Sequence, residues 1–214
     1  PDALSFTPGG PAALRIGLGG LAYAARRTGG RLVASAVEHS SILLAGQHAA
    51  AQSADPTRFA PVAVDAVGRL DLHAWAQALA VPCTAVAALQ SANGEVGTRQ
   101  PLEAASEQCR RHGIPLLVDA TAALGWDEPP MHYDVLAGDA RSFAGPAGVG
   151  LLVVPARTRW RAPGPASELE GGRVDTEPVL PLVLGAAEAW AQASAGYAAD
   201  ARQARSLIER LRGV

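Results

Sequence analysis

The chemistry open to this 214-residue sequence is bounded first by an amine it lacks: all 18 of its lysine-plus-arginine positions are arginine. A coding bias toward Ala, Gly, Arg and Pro accounts for the exchange of surface lysines. It does not account for one that chemistry requires, because a guanidinium stays protonated at neutral pH and forms no imine with an aldehyde. Arginine does grip phosphate and carboxylate through paired N–H bonds, and Arg141 and Arg173 are candidates for that work. Asp119 closes the apolar run IPLLVDA, and a carboxylate at the carboxyl end of a parallel strand faces the crevice where α/β sheets take ligands. The plainer reading of Asp119 is a cap on the next turn. Asn93 is the sole asparagine of the chain and precedes a glycine, a pair that ordinarily makes a left-handed turn.

The elements that must position these residues follow an α/β rhythm. Short apolar runs at 31–37, 58–64, 84–92, 115–119, 134–138 and 149–154 read as strands. Helical periodicity at 11–27, 41–52, 72–79 and 101–112 falls between them, bounded by Pro, Asp and Gly. Runs such as VGLLVV are apolar at consecutive positions, as strands covered on both faces are, so the expected fold is α/β with a mainly parallel sheet covered by helices. A proline- and glycine-rich stretch at 155–181 ends the sheet, and two helices follow at 182–193 and 199–211.

Composition excludes several classes. Hydrophobic residues make up 49% and charged residues 18%, so disorder is ruled out and extensive burial is expected. The net charge of -2, with Arg26–Arg27 and Arg110–Arg111 as isolated pairs, leaves no footprint for nucleic acid or anionic lipid. Cys83 and Cys109, both read as buried thiols, supply neither a disulfide framework nor a cysteine-based metal site, and a reducing, cytoplasmic setting is expected. The sequence shows no apolar run long enough to span a membrane and no signal-peptide pattern at its start.

Six strings, in order, resemble the large domain of cysteine desulfurases, members of the class V aminotransferase group of pyridoxal-phosphate (PLP) enzymes with the type I fold. They are PDALSFTPGG at 1–10, VASAVEHSSIL at 33–43, VDAVGRLDLHAWAQAL at 64–79, SANGEVGTRQPL at 91–102, VDATAALG at 118–125 and DVLAGDARSFAGPAGVGLLVV at 134–154. The resemblance covers residues 1–194 as a large domain and leaves 195–214 as a C-terminal helix, with the family's small domain expected to be absent. It implies that Asp119 pairs with the cofactor's pyridine nitrogen. His39 would stack on the ring and move protons. It also implies that Asn93 contacts the phenolic oxygen and that Thr176 lies on a loop reaching the partner subunit's phosphate.

The departures from the family pattern fall on its chemistry. Ser142 stands at the position of the Schiff-base lysine, Arg141 at that of a histidine, and Asp139 at that of a serine that donates to the phosphate. An aspartate there accepts only and repels a dianion. Gly9, Gly10 and Pro11 replace a Gly-Ala-Thr turn, removing a hydroxyl and an N–H from the start of a helix, and Ala122 replaces a glutamine. The expectation is a degenerate, non-catalytic relative acting through its surface as a homodimer, or as a heterodimer with an active relative. The alternative is an enzyme that binds PLP or another anion noncovalently, through Asp119, His39 and Arg141.

Overall fold

The computed structural model describes residues 3–27, 29–164 and 167–213. Pro1 and Asp2, the first two residues of the first matched string, lie outside them. In chain order the main elements are β1 (Leu4–Thr7), α1 (Gly10–Ala25), β2 (Arg31–Ser35), α2 (Ser40–Gln52), β3 (Phe59–Val62), α3 (Leu72–Leu79) and β4 (Thr84–Gln90). A two-residue pair follows, β5 (Ala92–Asn93) with β6 (Thr98–Arg99), then α4 (Leu102–His112), β7 (Leu116–Asp119), β8 (Val135–Asp139), β9 (Gly150–Val153) and α5 (Leu180–Arg212).

Seven strands form one sheet in the order β1-β9-β8-β7-β4-β2-β3. From β3 to β8 every pairing is parallel; α2, α3 and α4 supply the crossovers among β2, β3, β4 and β7, and the irregular stretch 120–134 carries the chain from β7 to β8. The mainly parallel sheet expected from sequence is therefore present with one mixed edge, where β9 runs antiparallel to both β8 and β1. The connection from β8 to β9 holds only a short 3-10 turn, too little chain for a crossover.

Helices cover both faces. Leu14, Leu18 and Leu21 of α1 pack on Leu117, Val135 and Leu152, while Trp75 and Leu79 of α3 and Cys109 of α4 pack on Val33, Leu116 and Val118. The approach of α1 is close: a Cβ on Gly17 would lie 2.8 Å from Leu117 Cδ1 and 2.9 Å from Val135 Cγ1. Asp71 starts α3 by accepting the N–H groups of His73 and Ala74 at 2.8 and 3.1 Å, and Gly113 ends α4 with φ 64°.

Two expectations are corrected here. The helices read at 182–193 and 199–211 are one continuous 33-residue helix, α5, and residue 194 lies within it. Gly196 costs about 1 kcal/mol relative to alanine in a helix, which the surrounding alanines tolerate without a break. Cys83, expected to be buried, is exposed in a turn with φ 66°, and its carbonyl accepts the N–H groups of Gly30 and Arg31, each at 3.1 Å. Cys109 is buried as expected, and burial pushes its thiol up to about 12, which makes it inert.

Candidate functional site

The carboxyl ends of β2, β4, β7 and β8 lie along one edge of the sheet, and the N-terminus of α1 packs against them. Each strand end carries a polar side chain: Glu38 and His39 just past β2, Gln90 on β4, Asp119 on β7 and Asp139 on β8. Between α1 and this edge lies a cavity of ≈ 320 Å³ with His39, Thr121, Asp139, Arg141 and Ser142 on its wall.

Asp119 is 3% exposed, and its Oδ1 accepts both the N–H and the hydroxyl of Thr121 at 2.8 and 2.6 Å. It thus makes the turn-capping bonds that the plain reading required while standing at the crevice edge. Burial raises its carboxyl above the usual range, against the pull of Thr121 and of the nearby His39, and Asp139 raises it further. His39 is exposed and caps α2, its Nδ1 accepting the Ser41 N–H at 3.0 Å, which leaves Nε2 for the cavity. Asn93 is committed to local structure. Its Oδ1 accepts from Glu95 and Val96 at 2.9 and 3.1 Å, and its Nδ2 donates to the Val37 carbonyl at 3.3 Å. The turn is an Asx turn with its positive φ at Gly97, so the plainer reading of Asn93 as a turn residue holds with the left-handed position moved to Gly97.

On the β8 side the residues satisfy one another. Asp139 Oδ2 accepts the Gly10 N–H at 2.8 Å, and Arg141 donates its backbone N–H, Nε and Nη2 to the same carboxylate, each at 3.0 Å. Burial works to raise the Asp139 carboxyl, but the guanidinium and the two backbone N–H groups outweigh it and hold it below the usual range. Ser142 Oγ donates to the Asp139 carbonyl at 2.7 Å. Thr176 is not brought to this cavity. It is exposed on a separate pocket of ≈ 70 Å³ beside Phe6 and Val149.

Sequence reasoning passed over two buried polar residues. Glu38 is 5% exposed, its Oε1 accepts the Gln90 N–H at 2.9 Å, and its Oε2 has no partner. Burial and then the neighbouring Asp119 push its carboxyl up to about 8. Gln90, 6% exposed, donates its side-chain amide to the Val37 carbonyl at 2.6 Å. The available signal was a polar residue ending or closely following an otherwise apolar strand run.

The pyridoxal phosphate that the resemblance implies does not fit this residue set in the family manner. Asp119 and His39 both stand at the crevice edge. The chain holds no lysine to anchor an aldehyde, and the N–H at the start of α1 is taken by Asp139.

A mixed sheet of this order, helix-covered, with its polar edge at the strand carboxyl ends, is the large-domain fold of type I PLP-dependent enzymes. It superposes on a NifS-like protein with a TM-score of 0.91 at 22% identity, covering 99% of this chain and 58% of that one. With DndA from Streptomyces lividans the TM-score is 0.88 at 27% identity, covering 99% and 61%. A sequence profile of the aminotransferase class-V family matches residues 1–179, and the chain belongs to that family. Among curated relatives it is 30% identical over 217 residues to the mitochondrial cysteine desulfurase of Eremothecium gossypii, covering 99% of this chain and 43% of that one. It is 32% identical over 156 residues to the cysteine desulfurase IscS of Clostridium botulinum, covering 72% and 38%. The chain spans about half the length, or less, of the relatives it matches.

Proposed function

We propose that this chain is a degenerate cysteine-desulfurase-like large domain that performs no desulfurase chemistry of its own and acts as a non-catalytic partner through its surface. The observation that carries this reading is the β8 turn, where Ser142, matched by the resemblance to the position of the amine, has its hydroxyl bonded to the Asp139 carbonyl at 2.7 Å. Desulfuration in this family needs an amine to hold the cofactor, and none of the 214 residues given is a lysine.

Surface features support the interaction reading. Val179, Leu180 and Leu184 at the start of α5, and Leu207, Ile208 and Leu211 at its end, are all exposed. Apolar exposure along one element marks surface that another chain or domain covers. We assign the cover to a second copy or an active relative, in a cytoplasm whose reducing state the two unpaired cysteines suit. None of the described helices is long and apolar enough to cross a membrane.

The test is sulfide release from L-cysteine with PLP added, together with mass spectrometry after borohydride treatment. The expected result is no sulfide above a no-protein control and no pyridoxyl adduct; an adduct on an internal peptide overturns the reading. Light scattering over a dilution series then examines association, and a constant monomer mass with no co-purifying partner removes the interaction role. A second reading, noncovalent ligand binding, is favoured by the cavity lined by His39, Thr121 and Arg141, and would show as a change in PLP absorbance without an adduct.

A further inference from the structure

We propose that Asp139 is a resident anion: its carboxylate holds the seat at the N-terminus of α1 that an external phosphate would take, so the adjoining cavity turns phosphate-bearing ligands away. This goes beyond the loss of lysine chemistry, since it concerns which ligands the cavity admits, and it holds whether or not the chain works through its surface.

A helix N-terminus facing a crevice is a ready anion site, because its first N–H groups lack partners and the helix dipole favours negative charge. At α1 those groups are accounted for. Gly10 donates to Asp139 at 2.8 Å, Pro11 has no N–H, and Ala12 and Ala13 both turn back to the Gly9 carbonyl at 3.2 Å. The carboxylate is also saturated. An ionised carboxylate offers about four lone-pair positions, and four N–H groups fill them: that of Gly10 and three from Arg141. No space remains between the turn and the aspartate, since a Cβ on Gly10 would lie 2.9 Å from both Asp139 Cβ and Oδ2. A phosphate approaching the helix start meets a fixed negative charge that is 3% exposed, with the Nε and Nη2 edge of the nearest guanidinium already turned to it.

Removing the resident charge should reopen the seat. In Asp139→Ser the Gly10 N–H and the Arg141 guanidinium are both released toward the cavity. Inorganic phosphate serves as the probe, because it has no aldehyde and its binding is independent of any amine. The expected result, by calorimetry and by thermal midpoint at constant ionic strength, is phosphate binding at least about tenfold tighter in Asp139→Ser than in the unaltered chain. Phosphate should raise the midpoint of the variant alone. Asp139→Asn keeps the side-chain volume and removes the charge; measured in parallel, it should move the same way by a smaller factor and decides the matter if the serine variant does not fold. Phosphate binding in the unaltered chain as tight as in either variant, or no gain in the folded variants, overturns the proposal.

Discussion

Glu38 and Asp139 are both buried carboxyl groups at the carboxyl edge of one sheet, and their surroundings act on them in opposite senses. Glu38 is bonded through Oε1 to Gln90, keeps an unpartnered Oε2 and lies near a second carboxyl, that of Asp119, so its proton is held to about 8. Asp139 has four N–H donors, two of them from the Arg141 guanidinium, and its charged form is favoured. Burial alone therefore does not set the charge of a strand-end carboxyl; the donors aimed at it and the charges beside it act with burial to set it. One side of the crevice retains a carboxyl, that of Glu38, that holds its proton near neutral pH, and the other has closed on itself.

The largest expected effect tests the Glu38 half of that contrast. A carboxyl whose folded pKa lies above its unfolded value supports the fold fully below the unfolded pKa, and that support is lost as pH rises through the folded one. For Glu38 the window runs from its ordinary value of 4.5 to about 8. Stability of the unaltered chain should fall across that window by on the order of a few kcal/mol. Glu38→Gln keeps the acceptor for the Gln90 N–H and removes the titration. Denaturant unfolding at pH 5 and pH 9 checks this, and an equal fall in the variant shows that Glu38 is not the group responsible.

Asp139→Ala should give the next largest effect, with the opposite dependence on pH. Its lowered pKa means stability that is present above the usual aspartate value and lost as pH falls through the folded one. Most of the effect at neutral pH comes from the lost bond to the start of α1, about 1 kcal/mol by analogy with helix-capping residues. The ion pair adds little, because the Arg141 side chain is 63% exposed. The same urea titrations at pH 3 and pH 7 measure it. A variant as stable as the unaltered chain at both would mean that the β8 side is not closed by this contact.

Much of this architecture was legible in residue types. Consecutive apolar positions marked β4, β7, β8 and β9, and Asp119 could be placed at a crevice edge because it ends such a run. The sign of the Asp139 substitution was legible too, since an aspartate can only accept. That Arg141, two residues on, would supply three of its donors was not, because a backbone N–H and a guanidinium converge on one carboxylate only once the 3-10 turn after β8 forms. Glu38 was hidden for a similar reason. Its orphaned oxygen exists only where the ends of β2, β4 and β7 meet. The continuity of α5 defeated the local reading, because alanine-rich flanks carried the helix through Ser194 and Gly196.

The smallest effect is expected from Ser142→Lys, which restores an amine to the cavity without touching the seat beside it. Ser142 is half-buried on the cavity wall, so a long side chain can extend into open space, and the lost hydroxyl bond to the Asp139 carbonyl costs under about 1.5 kcal/mol. The new ammonium meets Arg141, a like charge, and an Asp139 carboxylate whose acceptor positions are already filled. An added aldehyde phosphate would find its amine but no place for its phosphate. Absorbance titration with PLP should therefore show at most weak uptake by Ser142→Lys, and clearly more when Asp139→Ser is combined with it. Tight uptake by the single variant would mean that the start of α1 still accepts an outside anion, and the division of the crevice into an open and a closed side would fail.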